Sequence, residues 1–374
     1  MPTRRAFLLA STGIAMSGPL RLLAQPRFGK NPFTLGVASG YPQADGIVLW
    51  TRLAPDALNG GGMPNAAVEV AWEIAADEGF GSVLRKGVER ATPELAHSVH
   101  AEIRGLEPAR WYHYRFHAGG ATSVTGRFRT APAADAANDR LRFALASCQQ
   151  YEQGYFTAYR HMAREDLDLV IHVGDYIYES SWGRTRVRSH GTPECVTLAE
   201  YRNRYALYRS DADLQAAHAA FPWLVTWDDH EVSNDYANDR SQKLDPPALY
   251  LRRRAAAYQA YYEHIPLPAW ARPRGPNARL YGQSGFGQLA QICMLDDRQY
   301  RSHQVCAPER RGGSTVVTAG ECPQRLSPEL TLLGTEQERW LHGALDKSTA
   351  RWNIIAQQTL MAQRTRLKDG EAAF

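Results

Sequence analysis

The sequence predicts a mixed α/β chain in two parts: a small β-sandwich over residues 31–130, then a layered α/β domain over residues 141–374. Three observations predict it. Between 31 and 130, stretches rich in β-branched and aromatic residues alternate in part between apolar and polar side chains, the pattern of half-buried strands. From Leu141 onward, short apolar runs alternate with longer helix-like stretches, which implies strands layered with helices. The segment "TAPAADAANDR" at 130–140 is rich in Ala, Pro and Asp and reads as the linker. The chain has 374 residues, 44% hydrophobic and 22% charged, enough for two domains and a large core.

In the first part, "GIVLWTRL" (46–53) and "AAVEVAWEIA" (66–75) read as strands. "HAEIRGL" and "WYHYRF" alternate on either side of the turn "LEPAR". Leu106, Pro108 and Tyr112 resemble the corner of immunoglobulin and fibronectin III-like β-sandwiches, where a tyrosine locks the turn. In the second part, "LRFALAS", "DLVIHV", "FPWLVTW", "LAQICMLD" and "RWNIIAQQ" read as strands. "GYFTAYRHMARED", "LAEYRNRYALYRS", "PALYLRRRAAAYQAYYEHI" and "TEQERWLHGAL" read as helices, the last with Thr335 and Glu338 spaced as a capping box.

The N-terminus carries Arg4 and Arg5, then an apolar stretch too short to span a membrane, then a small-residue cleavage pattern ending at Ala24. Residues 1–24 read as a signal peptide, and "TRRAFLL" resembles the twin-arginine export signal. A periplasmic or secreted location and contact with the twin-arginine export machinery follow as expectations. The formal net charge of +4, from 43 basic and 39 acidic residues, is too balanced to argue for a nucleic-acid partner. The densest basic patch, "WGRTRVRSH" at 182–190, is a candidate contact for an anionic ligand. There is no C-x-x-C pair. The spacing of Cys306 and Cys322 suits a disulfide in an exported protein. Cys148 is then the candidate free thiol, and Cys293, inside an apolar run, a core residue. A monomer is expected.

The chemistry lies where the apolar runs stop. They end in Ser147-Cys148-Gln149, in Gly174-Asp175-Tyr176-Ile177-Tyr178-Glu179, in Asp228-Asp229-His230-Glu231 with Asn234 beyond, and in Asp296-Asp297-Arg298. Open α/β sheets bind ligands at the carboxyl ends of their strands, so four polar endings in one domain point to a site. A thiolate from Cys148, a carboxylate from Asp175 and a phenolate from Tyr178 suit Fe(III) better than Mg²⁺. Asp228 and Asp229 suit a second, harder cation, with Asp175 able to bridge; paired ions are a usual clamp for phosphate-ester hydrolysis. Tyr176 and His172 read as packing residues.

"GDYIYE" has the Gly-Asp-x-x-Tyr spacing of metallophosphoesterases and purple acid phosphatases, and "DDHE" sits where that superfamily carries Gly-Asn-His-Glu or Gly-Asn-His-Asp. Together with "FTLGVASGYPQADGIVLWTRLAP", "SCQQYEQGYFTAYRHMA", "FPWLVTWDDHEVSNDYAN" and "LDDRQYR", they resemble the PhoD-type alkaline phosphatases from about residue 33 to the end. The resemblance implies a β-sandwich followed by a layered αββα metallophosphoesterase domain, export by the twin-arginine route, and hydrolysis of phosphate esters with Fe(III) and Ca(II) by attack of a metal-bound hydroxide. Cys148, Asp175 and Tyr178 match the iron ligands, with Asp175 shared with calcium. Asp229 takes the place of the superfamily's metal-binding asparagine, and Asp228 and Asn234 are further metal candidates. His230 matches the histidine that contacts the phosphate or protonates the leaving group. Arg298 is open between a phosphate contact and a structural salt bridge.

One departure stands out. The superfamily carries a later Gly-Asp-x-His strand ending and further histidines, and none follows "QQTLMAQRTRLKDGEAAF". The chain is therefore expected to be a fragment with an incomplete metal shell, its last residues forming the loop after "NIIAQQ". Two other functions stay open: a phosphodiesterase or phospholipase on the same scaffold, and a catalytically silent binding protein.

Overall fold

The computed structural model describes residues 28–318 and 320–362 and, as backbone alone, 366–368 and 371–373. The expected signal peptide lies outside the described residues.

The first part holds β1 (Val37–Gln43), β2 (Gly46–Arg52), β3 (Val68–Ala75), β4 (Val83–Ala91), β5 (Ser98–Ile103), β6 (Trp111–Ala118) and the short β7 (Ala121–Thr122) and β8 (Gly126–Arg129). β6 buries every second residue, as its alternating sequence requires. Its Tyr112, Tyr114 and Phe116 meet Val37, Leu49 and Val99 of the facing sheet in one apolar cluster. Glu107 donates its backbone N–H to the Tyr112 hydroxyl at 2.9 Å, closing the turn between β5 and β6.

The second part holds β9 (Phe143–Ala146), α1 (Thr157–Met162), β10 (Leu169–Val173), α2 (Leu198–Arg209), α3 (Ala212–Ala220), β11 (Pro222–Thr226), α4 (Pro247–His264), β12 (Gly282–Phe286), β13 (Ala290–Met294), α5 (Gly334–Asp346) and β14 (Trp352–Ala356). The parts share a sheet. β1 pairs in parallel with β11, giving the order β5-β2-β1-β11-β10-β9. β1 and β2 are buried along nearly their whole length because the β3 sheet covers one face and helices the other. Gly40 of β1 is needed for this join: a Cβ there would stand 2.5 Å from the Pro266 carbonyl oxygen. A second sheet, β12-β13-β14, closes the other side of the core, where Val170 and Leu224 share a cluster with Ile292, Met294 and Ala356. The Gln358 amide ties the two sheets by donating to Trp227 and Leu295 carbonyls.

Four local expectations change. β9 is an edge strand with Leu145 64% exposed, so it is not a buried run. α3 was not anticipated; Asp211 caps it by accepting from the N–H groups of Asp213 and Leu214. Thr335 does not cap α5: it lies inside the helix, Leu333 stands at the N-cap without a side-chain cap, and the Thr331 hydroxyl two residues earlier accepts Gly334 N–H at 2.9 Å, while a capping box stands at Thr197 and Glu200 of α2. The final residues form a short antiparallel pair, Arg366–Lys368 with Glu371–Ala373, instead of a loop. Cys306 and Cys322 form the disulfide, leaving Cys148, Cys195 and Cys293 free, the last two buried.

Candidate metal centre

β9, β10 and β11 run parallel to one another, and β13 and β14 do likewise, so the polar endings of the apolar runs collect at strand ends. The turn after β10 depends on Gly174, with φ +101°, where a Cβ would lie 2.3 Å from Asp228 N. That contact brings the Asp175 loop against the Asp228–Glu231 loop. Asp175 and Cys148 both adopt left-handed backbone, at φ 57° and 54°, a local cost typical of functional sites. Cys148 N–H and Gln149 N–H bond the carbonyls of Gly174 and Asp175 at 3.1 Å and hold the two loops in register. The buried Glu231 accepts Tyr176 N–H at 2.6 Å and Asp228 N–H at 2.9 Å, joining the same segments from below the site.

Donor atoms of Asp175, Asp229 and His230 all lie within 4.8 Å of one another, and all three residues are buried. The Tyr178 hydroxyl donates to Asp175 Oδ2 at 2.8 Å, and the Tyr178 and His230 rings lie 4.1 Å apart. The Cys148 thiol falls outside the 4.8 Å group but interacts with Asp175 and Tyr178; the residue keeps an exposed surface. Asp228 stands outside that group, its carboxylate 2.6 Å from Arg298 Nε. Arg298 also meets Asp235 at 3.2 Å and Asp229 at 3.6 Å, so it is the centre of a buried ion-pair cluster. Asn234 donates its side-chain amide to Gln242 at 3.0 Å and its backbone N–H to Glu179 at 2.8 Å, outside the three-residue group. Tyr176 and His172 are buried among aromatic rings, as their packing role requires.

The electrostatics follow from crowding acids in a dry place. Burial first, then the charges of Asp229 and Asp228, push the Asp175 carboxyl up to about 7. Burial also raises Asp228 to about 6 against the pull of Arg298. Burial opposes the ionised form of Asp229 too, yet Arg298 and His230 hold it below the usual carboxylate range. For His230, burial disfavours the charge, but the 2.7 Å hydrogen bond and charge of Glu179 overcome it and lift the imidazolium to about 10. Burial and Asp175 push the Cys148 thiol up to about 11, and the same two causes raise the Tyr178 phenol well above its ordinary range. Asp175, Cys148 and Tyr178, all held back from ionising by burial, fit a bound cation, which favours the deprotonated form of each donor.

Sequence reading gave no role to three residues that organise the site. Glu179 orients His230, Glu231 pins two loops, and Asp235 links Arg298 to the disulfide loop through Ser314, whose hydroxyl donates to Asp235 Oδ2 at 2.8 Å. Glu179 and Glu231 close the quoted runs "GDYIYE" and "DDHE", so a carboxylate right after a ligand motif was the available signal. The basic patch at 182–190 is partly internal: Arg188 pairs with Asp211 at 2.7 Å and stacks 3.7 Å from the Tyr151 ring, and Arg186 meets the buried Glu152.

Two family models match the chain: PhoD-like phosphatase over residues 143–373, and PhoD-like phosphatase, N-terminal domain, over residues 18–132. Alkaline phosphatase D of Bacillus subtilis (strain 168) is 53% identical over 353 residues, covering 92% of this chain and 59% of that protein. The solved structure of PhoD superposes with a TM-score of 0.88 at 52% identity, covering 93% of this chain and 66% of that one. The chain thus spans about three fifths of the length of the curated relative it matches. With both models matched in order, and 92% of the chain aligned at 53% identity, the chain belongs to the PhoD-like phosphatase family.

Proposed function

We propose that the chain carries the catalytic strand ends of an exported, metal-dependent alkaline phosphatase acting on phosphate esters. The observation that supports this reading best is the buried Asp175–Asp229–His230 group with the Tyr178 hydroxyl on Asp175, set in a PhoD-like chain. Asp175, Tyr178 and Cys148 would hold Fe(III), the ion that phenolate and thiolate donors favour. Asp175 and Asp229 would hold Ca(II), with Asn234 reaching it only by turning its amide from Gln242. Asp228 is assigned to Arg298 in place of a metal, and Arg298, occupied by three carboxylates, is assigned no phosphate contact. When bound, the ions supply charge neutralisation and an activated water. The protein supplies the rest. Glu179 keeps His230 protonated and aimed, so its imidazolium donates a proton to the departing alkoxide. Glu231 and Gly174 fix the two loops, so the donors meet without reorganisation.

Residues 31–130 are proposed as an immunoglobulin or fibronectin III-like sandwich and 141–374 as the metallophosphoesterase part, with the twin-arginine signal at 1–24 and the export machinery as its partner. The test is metal analysis with activity on one phosphate monoester and one diester. Iron and calcium in the purified chain with hydrolysis of either ester support the reading, and the ratio of the two rates assigns monoesterase or diesterase. A chain that takes up both metals and hydrolyses neither ester is the silent binding protein instead.

A further inference from the structure

A cavity of about 370 Å³ adjoins the metal centre, and His230 belongs to both: its donor atom lies in the Asp175–Asp229 group and its ring lines the cavity. An ester whose phosphate sits at those carboxylates has this cavity beside its alcohol part. The cavity wall is polar but charge-balanced. The cations Lys243, Arg253 and His230 face the carboxylates Glu179, Glu194 and Asp245. His230 is bonded to Glu179, and Lys243 and Arg253 share Glu194. No surplus charge remains to attract a second anion.

The unspent groups are hydrogen-bond donors. Arg253 is 7% exposed; its Nε donates to the Tyr201 hydroxyl at 2.9 Å and its Nη1 pairs with Glu194 at 2.9 Å, while its buried Nη2 has no partner. Gln242 accepts from Asn234 through Oε1, and its buried Nε2 has no partner either. A buried donor left without an acceptor is costly, and these two, like the unpartnered Ser233 hydroxyl, belong to residues that line the cavity. Trp182, 49% exposed, adds an aromatic face whose ring lies 6.2 Å from that of Tyr178.

We propose that this cavity is the leaving-group subsite and that it takes a neutral, hydroxyl-rich ring alcohol of glycosyl type, with Gln242, Arg253 and Trp182 as its specificity-determining residues. The hydroxyl oxygens satisfy the two donors and the ring packs on Trp182. The assignment of the subsite to a leaving group rests on the phosphoesterase reading; its ligand class does not.

The test uses the full chain and saturation-transfer NMR titrations with methyl β-D-glucopyranoside, against cyclohexylmethanol as an apolar ring of similar size. The glycoside is expected to bind, and Trp182→Ala and Gln242→Ala are each expected to weaken it about three- to ten-fold, the worth of one lost hydrogen bond or ring contact. Absence of binding, equal binding of cyclohexylmethanol, or glycoside affinity unchanged in both variants overturns the ligand class. A second arm compares kcat/KM of the metal-loaded chain for glucose 6-phosphate and ethyl phosphate. A preference for the sugar ester that falls in Gln242→Ala supports the leaving-group assignment, and equal rates overturn it. If neither ester is hydrolysed while the glycoside still binds, the phosphoesterase reading fails and the sugar site stands.

Discussion

Replacing Arg298 by Met tests whether the site is built on charge compensation. Methionine keeps the apolar stem and removes the guanidinium. Three carboxylates lose their shared partner: Asp228 at 2.6 Å, Asp235 at 3.2 Å and Asp229 at 3.6 Å, all with little exposure. Removing one partner of a buried ion pair costs about 3–5 kcal/mol because the remaining charge is stranded, so the metal-free variant is expected to lose about 4 kcal/mol of unfolding free energy at pH 7.5. The sign with pH follows from linkage. Without Arg298, the folded-state pKa of Asp228 rises further above its unfolded value, and that of Asp229 climbs from below the usual carboxylate range. Groups raised in this way favour the fold at low pH and cost stability as pH climbs through the folded value. Since Asp228 already stands at about 6 with Arg298 present, most of the loss should disappear at pH 5. Added Ca²⁺ should restore part of it at pH 7.5, since a ligand that binds the folded state stabilises it by mass action. Urea unfolding followed by tryptophan fluorescence at the two pH values measures all three effects. An equal loss at pH 5 and pH 7.5 would refute the electrostatic argument and assign Arg298 to packing. A loss under about 1 kcal/mol at pH 7.5 would show that the stranded charges have another partner.

Three further outcomes are expected. Asp175, raised to about 7 by burial and two neighbouring aspartates, must lose a proton when a cation binds, so metal affinity should tighten as pH rises through 7 with proton release; calorimetry in two buffers of different ionisation heat detects it, and pH-independent binding contradicts it. Ser314→Ala should weaken metal binding through Asp235, and reduction of Cys306–Cys322 should do the same; because both act on one strap, the combined loss should fall short of their sum, and full additivity would separate them. Tyr178→Phe should remove the visible phenolate band of the iron-loaded chain while its circular dichroism is unchanged, since only a hydroxyl is lost; a colourless, active, zinc- or magnesium-containing chain would show that the proposed iron is wrong.

The site was legible because its logic is local. A run such as "FPWLVTW" must be buried, a buried run beside helices is a parallel strand, and parallel strands end on one side; that places Asp175 and the Asp228-Asp229 pair at neighbouring strand ends, while the choice of Asp229 and the role of Cys148 rest on the family resemblance and the donor chemistry. The join between β1 and β11 was not legible, because a pairing across about 180 residues leaves no mark on the period of either strand. Helix α3 was readable in principle: Asp211 stands as an N-cap before Ala-rich sequence, but a short Ala-rich stretch between two stronger patterns invites being read as a connection.

Asp228 and Asp229 show where local logic needed one more step. Both aspartates lie beyond β11, which ends at Thr226, and both reach Arg298, at 2.6 and 3.6 Å, but only Asp229 stands in the group with Asp175 and His230. A buried carboxylate outside the metal group needs a cation of its own, and the next polar strand ending, Asp296-Asp297-Arg298, offers one. The 2.6 Å contact between Asp228 and Arg298 is that pairing. The two questions that sequence left open, whether Asp228 is a ligand and whether Arg298 is structural, meet in this one ion pair.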